Sequence, residues 1–197
     1  MNAMHEYSID AKRNKILFYL SLLAIATASL FSALLKQLPF SPITIPITSF
    51  TIFLLFTRIF ALVLWKKQGL HKIGLVKTPH LSGQWQGTRI EEKTGETYPV
   101  TLHIKQNWNK IRFEYHERTY IAVSYATAMQ TNFPLGTRVS IAFQIFESQN
   151  AALPVKRNDG FIDLIVKDNK KEMQGQFYTN PHTSSHYGLI TLTKIED

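Results

Sequence analysis

The 197-residue chain contains no cysteine. No disulfide framework braces it, and neither a thiol nucleophile nor a thiolate metal site can be built from it. It also lacks a glycine-rich phosphate loop, a Gly-x-Ser-x-Gly elbow and any Asn-x-Ser/Thr sequon, which removes the common signatures of nucleotide hydrolysis, serine hydrolysis and glycosylation. Acidic residues are scarce, with 14 Asp+Glu against 22 Lys+Arg and a formal net charge of +8. Such a surplus suggests a polyanion partner until it is divided by region. Residues 1–80 carry nine Lys/Arg against two Asp/Glu, whereas residues 81–197 carry thirteen against twelve. The basic excess therefore lies beside two apolar runs, where positive-inside topology accounts for it. This argues against a nucleic-acid polymer as partner of the second half. The paired acids Glu91-Glu92 and Asp159 with Asp163 read as solvated strand and turn residues. No constellation indicates an enzyme, and no cofactor is expected.

What is present begins with a polar segment, residues 1–15, ending in Lys12, Arg13 and Lys15. Ile16 to Leu35 then runs without a charge, matching the ~20 residues that carry a helix across ~30 Å of hydrocarbon. A secretory signal peptide would have a shorter apolar region and would not be followed at once by a second one. Pro39, Pro42 and Pro46 break any helix and read as the turn of a hairpin. Ile47 to Trp65 is a second span, interrupted by Arg58. Trp65 with Lys66 and Lys67 has the pattern of a membrane interface. Spans at about 16–35 and 47–65 thus form a two-helix transmembrane anchor, residues 16–65, followed by a basic linker over 66–80. Basic residues flank the outer ends of both spans, so both termini are expected in the cytoplasm. Arg58 sits about two helical turns from Trp65, within reach of the interface by snorkelling. The sharper alternative makes it a candidate for membrane function, facing other protomers or water in an assembly. Small residues on the first span (Ser21, Ala24, Ala28, Ser32) allow close helix packing.

At Leu81-Ser-Gly-Gln-Trp-Gln-Gly87 the pattern changes to short alternating segments. Eight candidate strands follow: 83–92, 98–107, 110–117, 119–129, 137–147, 160–167, 172–179 and 185–195. Turn chemistry separates them, as at Lys93-Thr94-Gly95 and Asn158-Asp159-Gly160. Alternation is clear in Tyr98, Val100, Leu102 and Ile104, and again in Val139, Ile141, Phe143 and Ile145. One apolar and one wet face per strand fits an eight-stranded antiparallel up-and-down barrel of lipocalin-like size over residues 81–197. A β-sandwich is the alternative.

Antiparallel order sorts residues by barrel end. The end nearer the apolar spans receives Trp85, Gln106, Trp108 and Met129. The far rim collects Tyr98, Tyr115, Arg118, Thr119, Tyr120, Tyr178, Thr179, Asn180, His182, His186 and Tyr187, including five of the eight tyrosines. Rings that stack, an Arg fork and Asn/Thr groups suit a ligand with bases and phosphates. The rim has a plainer explanation too, because strands favour tyrosine and loops are polar in any barrel. His182 and His186 have a helical metal-pair spacing, but on turn and strand they diverge, so no metal site is expected.

Two spans, a basic linker and a barrel opening Leu81-x-Gly83-x-Trp85-x-Gly87 together resemble a bacterial effector family of cyclic-oligonucleotide-based anti-phage signalling (CBASS). Ile104-x-Gln106-x-Trp108-x-x-Ile111, Met173-x-Gly175-x-Phe177-Tyr178-Thr179-Asn180 and Gly188-x-Ile190-x-Leu192 carry the resemblance further. Where the family pattern would place a basic residue after Asn180, Pro181 and His182 stand. The resemblance implies a β-barrel that binds a cyclic dinucleotide made by a cognate nucleotidyltransferase. It further implies ligand-induced homo-oligomerisation and disruption of the bacterial inner membrane. Tyr98, Tyr115, Arg118, Thr119, Tyr178, Thr179, Asn180 and His182 are the expected ligand residues. The alternative is a membrane-tethered, lipocalin-like carrier of an apolar small ligand.

Overall fold

The computed structural model describes residues 4–35, 49–118, 120–147, 158–167, 170–180 and 186–195. The chain divides into two compact units, Lys12–Lys77 and a second one made of Met1–Ala11 together with Thr78–Asp197.

The first unit is helical: α1 (Arg13–Leu35), α2 (Ser49–Leu62), a 3-10 turn at Leu64–Lys66 and α3 (Gln68–Lys72). In α1, Arg13–Leu34 is long and apolar enough to cross a membrane. Its hydroxyls are spent within the helix. Ser21 Oγ donates to the Phe18 carbonyl at 2.7 Å, and Thr27 Oγ1 to the Leu23 carbonyl at 2.8 Å. These bonds satisfy the hydroxyl donors without water. Among the described residues of the expected second span, helix covers Ser49–Leu62. α2 covers 14 residues, short of the ~20 that cross hydrocarbon, and the chain tightens into the 3-10 turn before residue 65. The prolines and the rest of the expected hairpin turn, residues 36–48, lie outside the described residues. Trp65 is fully buried in protein, a correction to its expected place at headgroup depth. The Trp65 carbonyl is hydrogen-bonded to His71 Nε2 at 3.0 Å. Arg58 is exposed on α2.

The second unit contains β1 (His5–Glu6), β2 (Ser8–Ile9), β3 (Gly83–Glu91), β4 (Thr97–Gln106), β5 (Lys110–His116), β6 (Tyr120–Phe133), β7 (Gly136–Glu147), β8 (Asn158–Val166), β9 (Glu172–Asn180) and β10 (His186–Lys194). From β3 to β10 each strand pairs antiparallel with the next, and β10 returns to β3. This is the closed eight-stranded barrel expected from the alternation. β6 runs further than expected, to a tight turn at Pro134-Leu135 where Phe133 faces Gly136, and is bulged between Ser124 and Ala126.

Inward positions fill the axis. Trp85, Leu102, Ile111, Phe113, Met129, Ile141, Phe143, Leu164, Met173 and Ile190 are all essentially inaccessible to water. These residues form a packed core where a lipocalin-like barrel would hold an open cup. The run that opens the barrel closes its near end. Trp85 Nε1 donates to the Leu81 carbonyl at 2.9 Å, and the buried Gln106 side chain accepts from Leu81 N at 2.8 Å while donating to the Pro79 carbonyl at 3.1 Å.

The segment before α1 belongs to this barrel. β5 and β6 pair directly only at Glu114–His116 with Ile121–Val123. Nearer the apolar helices in sequence they part, and β1–β2 fills the gap, antiparallel to β5 and parallel to β6. Tyr7 is buried in the core and its hydroxyl donates to the Trp108 carbonyl at 3.0 Å. Asp10 accepts from Thr131 N at 2.9 Å, Thr131 Oγ1 at 2.7 Å and Asn132 N at 3.2 Å. Pro79 and Thr131 line one groove, so the chain leaves the barrel at residue 11 and re-enters at residue 78 at the same end.

Two outcomes follow from these contacts. A Cβ at Gly87 would lie 1.8 Å from the Thr191 carbonyl oxygen, so Gly87→Ala should cost about 1–3 kcal/mol or more by overpacking. Gly69→Ala, with nothing within 4 Å, should be neutral or stabilising by up to about 1 kcal/mol. Unfolding of the full chain in detergent compares them. Partial burial opposes ionisation of Asp10, but hydrogen bonds from Thr131 and Asn132 hold its pKa below the usual 3.8. A depressed carboxylate stabilises above its unfolded pKa and loses that effect as pH falls through the folded one. The stability gap between wild type and Asp10→Asn should therefore be full at neutral pH and shrink below pH 3.8, read by denaturation at a series of pH values.

Candidate ligand site

The end of the barrel opposite the chain's two crossings is built from the close of β3, β5, β7 and β9 and the start of β4, β6, β8 and β10. Strand parity decides which side chains point in. On β3, Arg89 and Glu91 share the inward side with Trp85, and on β5 Glu117 continues the inward series of Ile111, Phe113 and Tyr115. Two charges of opposite sign thus enter the same mouth.

Arg89 Nη2 lies 3.0 Å from Glu117 Oε1, with side chains only 12% and 6% exposed. Tyr115 donates its hydroxyl to the other oxygen, Glu117 Oε2, at 2.7 Å. The Arg89 guanidinium carbon is 4.6 Å from the Tyr98 ring centroid and 4.7 Å from that of Phe177, within range for cation–π attraction. Its Nε is buried and has no hydrogen-bond partner among the described residues. Burial chiefly, and then the charge and hydrogen bond of Glu117, raise the Tyr115 pKa far above the ordinary phenol range, so its proton stays on and the donation to Glu117 is permanent. Tyr98 is also raised, first by its hydrogen bond to Glu96.

The expected ligand residues divide by orientation. Tyr98 and Tyr115 meet in the mouth around Arg89, and Thr179 is half-buried on the inward side of β9. Tyr178 lies on the outer face, exposed and bonded to Gln176, directly opposite Phe161 and Tyr187 on the neighbouring strands. Arg118 is exposed beyond the end of β5. The Asn180 backbone pairs opposite Asp159. Thr119 and His182 lie outside the described residues. Arg89, Glu117 and Phe177 were not among the residues expected from sequence. The available signal was parity: Arg89 lies four residues after Trp85 and Glu117 two after Tyr115, which puts each ion on an inward face. Glu91, read as solvated, is buried, because it too shares that parity. No group of three His, Asp or Glu residues suited to a metal occurs among the described residues.

A family model described as Cap15, cyclic dinucleotide receptor domain, matches residues 76–194. The chain belongs to this family. The resemblance to CBASS effectors drawn from the motifs is thereby established. No curated protein matches the chain. The Cap15 receptor domain spans β3–β10 in full, while β1 and β2, which complete the seam, fall outside the matched residues.

Breaking a buried ion pair from one side leaves a charge uncompensated. Glu117→Leu should therefore cost about 3 kcal/mol or more, whereas adding Arg89→Met to it should recover part of that loss. Chemical denaturation of the two single variants and the double variant tests this, and strictly additive losses would contradict it.

Proposed function

We propose that the chain is a membrane-anchored effector of anti-phage immunity whose barrel binds a cyclic dinucleotide at the mouth around Arg89. A cognate nucleotidyltransferase supplies the ligand, and binding drives homo-oligomerisation that disrupts the bacterial inner membrane. Membership of a cyclic dinucleotide receptor family supports the ligand class. The observation that carries the site is Arg89, a buried guanidinium over two aromatic rings with its Nε–H unspent.

A cyclic dinucleotide presents two phosphodiesters and two bases. Arg89 offers a planar fork to a phosphate oxygen, and Glu117 holds that fork in place while Tyr115 holds Glu117. Tyr98 supplies a face on which a base can stack, an interaction of ~1–3 kcal/mol per base. Arg118 adds a cation at the rim, with Thr119, Thr179, Asn180 and His182 as further contacts, while Tyr178, facing outward, is left out of the mouth. The role is one of binding rather than catalysis. A carrier of an apolar ligand is less well supported, because the side chains that would line its cavity pack against one another.

Strand pairing also bears on topology. Residues 5–9 are hydrogen-bonded into the barrel, so the segment before α1 and the domain after α3 occupy one side of any membrane. If α1 crosses, the chain must cross back, which supports a second pass through α2 and the residues before it. The basic flanks favour the cytoplasm as the shared side. Arg58, exposed on α2, is then a candidate for contact with water or a neighbouring protomer in the assembled state. A ligand drives that assembly only by binding it more tightly than the resting form.

Titration of the full chain in nanodiscs with a panel of cyclic dinucleotides should give saturable binding to at least one. Arg89→Ala and Tyr98→Ala should each weaken it by about tenfold, some 1.4 kcal/mol. Folded protein that binds no member of the panel would overturn the reading.

A further inference from the structure

The strand formed by residues 5–9 is held unlike any other in the barrel. β1 contributes two residue pairs with β5 and β2 two with β6, whereas β10 contributes seven with β3 and eight with β9. Backbone ladders this short open at a small fraction of the free energy of global unfolding. One further backbone bond, Asp10 N–H to the Met129 carbonyl at 3.3 Å, and side chains complete its attachment: Tyr7 in the core, the Asp10 carboxylate on Thr131 and Asn132, and His5 Nε2 hydrogen-bonded to Ser124 Oγ at 2.8 Å.

One donor of the seam stays satisfied without it. Where β5 and β6 part, the Phe113 N–H has lost its strand partner and donates instead to Ser124 Oγ at 2.9 Å. Ser124 therefore closes the fork from within the barrel, whether or not His5 is in place. The strand is also joined closely to the membrane-length helix, with only Ala11 and Lys12 between Asp10 and the start of α1.

We propose that residues 4–10 form a releasable stave: docked, they close the β5–β6 seam and hold the start of α1 within two residues of the barrel; released, they free α1 on a longer tether. The coupling to ligand rests on the function proposed above and follows one route. A phosphate on the free Nε–H of Arg89 pulls on the guanidinium that Glu117 holds through Nη2; Glu117 is tied to Tyr115 on β5, and β5 is the strand to which His5 and Glu6 pair. Ligand binding thereby favours release.

The full chain in nanodiscs, followed by hydrogen–deuterium exchange, tests the device. Glu6 and Lys110 are exposed partners across β1 and β5, and the chain has no cysteine of its own, so Glu6→Cys with Lys110→Cys gives a clean, reversible staple. Residues 4–10 should exchange at least about tenfold faster than β4 in the unstapled protein, and at the rate of β4 once stapled. A cyclic dinucleotide that binds should raise the exchange of residues 4–10 further. In proteoliposomes the oxidised staple should keep ligand binding but lose dye release, and a reductant should restore it. Protection of residues 4–10 equal to that of β4 without the staple would overturn the stave, as would undiminished leakage from stapled protein. If no cyclic dinucleotide binds, the proposed function fails, and the ligand-free exchange comparison still decides whether the stave opens.

Discussion

Closing a barrel leaves no edge only if every backbone N–H and C=O finds a partner all the way round, and in this protein that requirement is hardest to meet between β5 and β6. The two strands pair over three positions and then separate, because the bulge at Ser124 turns β6 away. An open fork there would leave unpaired groups beside the core, each costing about 1–3 kcal/mol. Ser124 caps one of them, and the segment before α1 fills the remainder. That single repair ties the first residues of the chain to a domain that begins about seventy residues later.

The barrel changes character along its axis. The near and middle layers are apolar and tightly filled, with Trp85, Phe113 and Phe143 as the largest members. Such a core is rigid and has nothing to offer a polar ligand. The far mouth reverses this character, bringing a buried Arg–Glu pair, two tyrosines and a phenylalanine together. A buried ion pair adds little net stability against an apolar replacement, so the mouth is not held together by this pair alone. The packed layers beneath hold the strand ends in place and so preorganise the mouth.

Much of the barrel was legible because period-two alternation is a local property. Val139, Ile141, Phe143 and Ile145 announce an inward face without reference to any other strand, and antiparallel order then sorts residues by end. The site was less legible. Tyr98 and Tyr115 were correctly placed at the far end, but Tyr178 shares that end and faces outward, since alternate residues of β9 point opposite ways. Arg89 and Glu117 drew no attention because a lone charge near a turn usually faces water. Only the fold shows the two facing each other across the mouth, from strands that are not neighbours.

The first fifteen residues mark the clearest division. By itself the sequence determined the apolar run over α1, the eight strands, the meander order and the family, all of which rest on local patterns or their succession. The barrel role of His5, Tyr7 and Asp10 was decided by tertiary structure alone. Two-residue strands carry no periodicity, and the slot they occupy exists only because a bulge in β6, more than a hundred residues away, opens it.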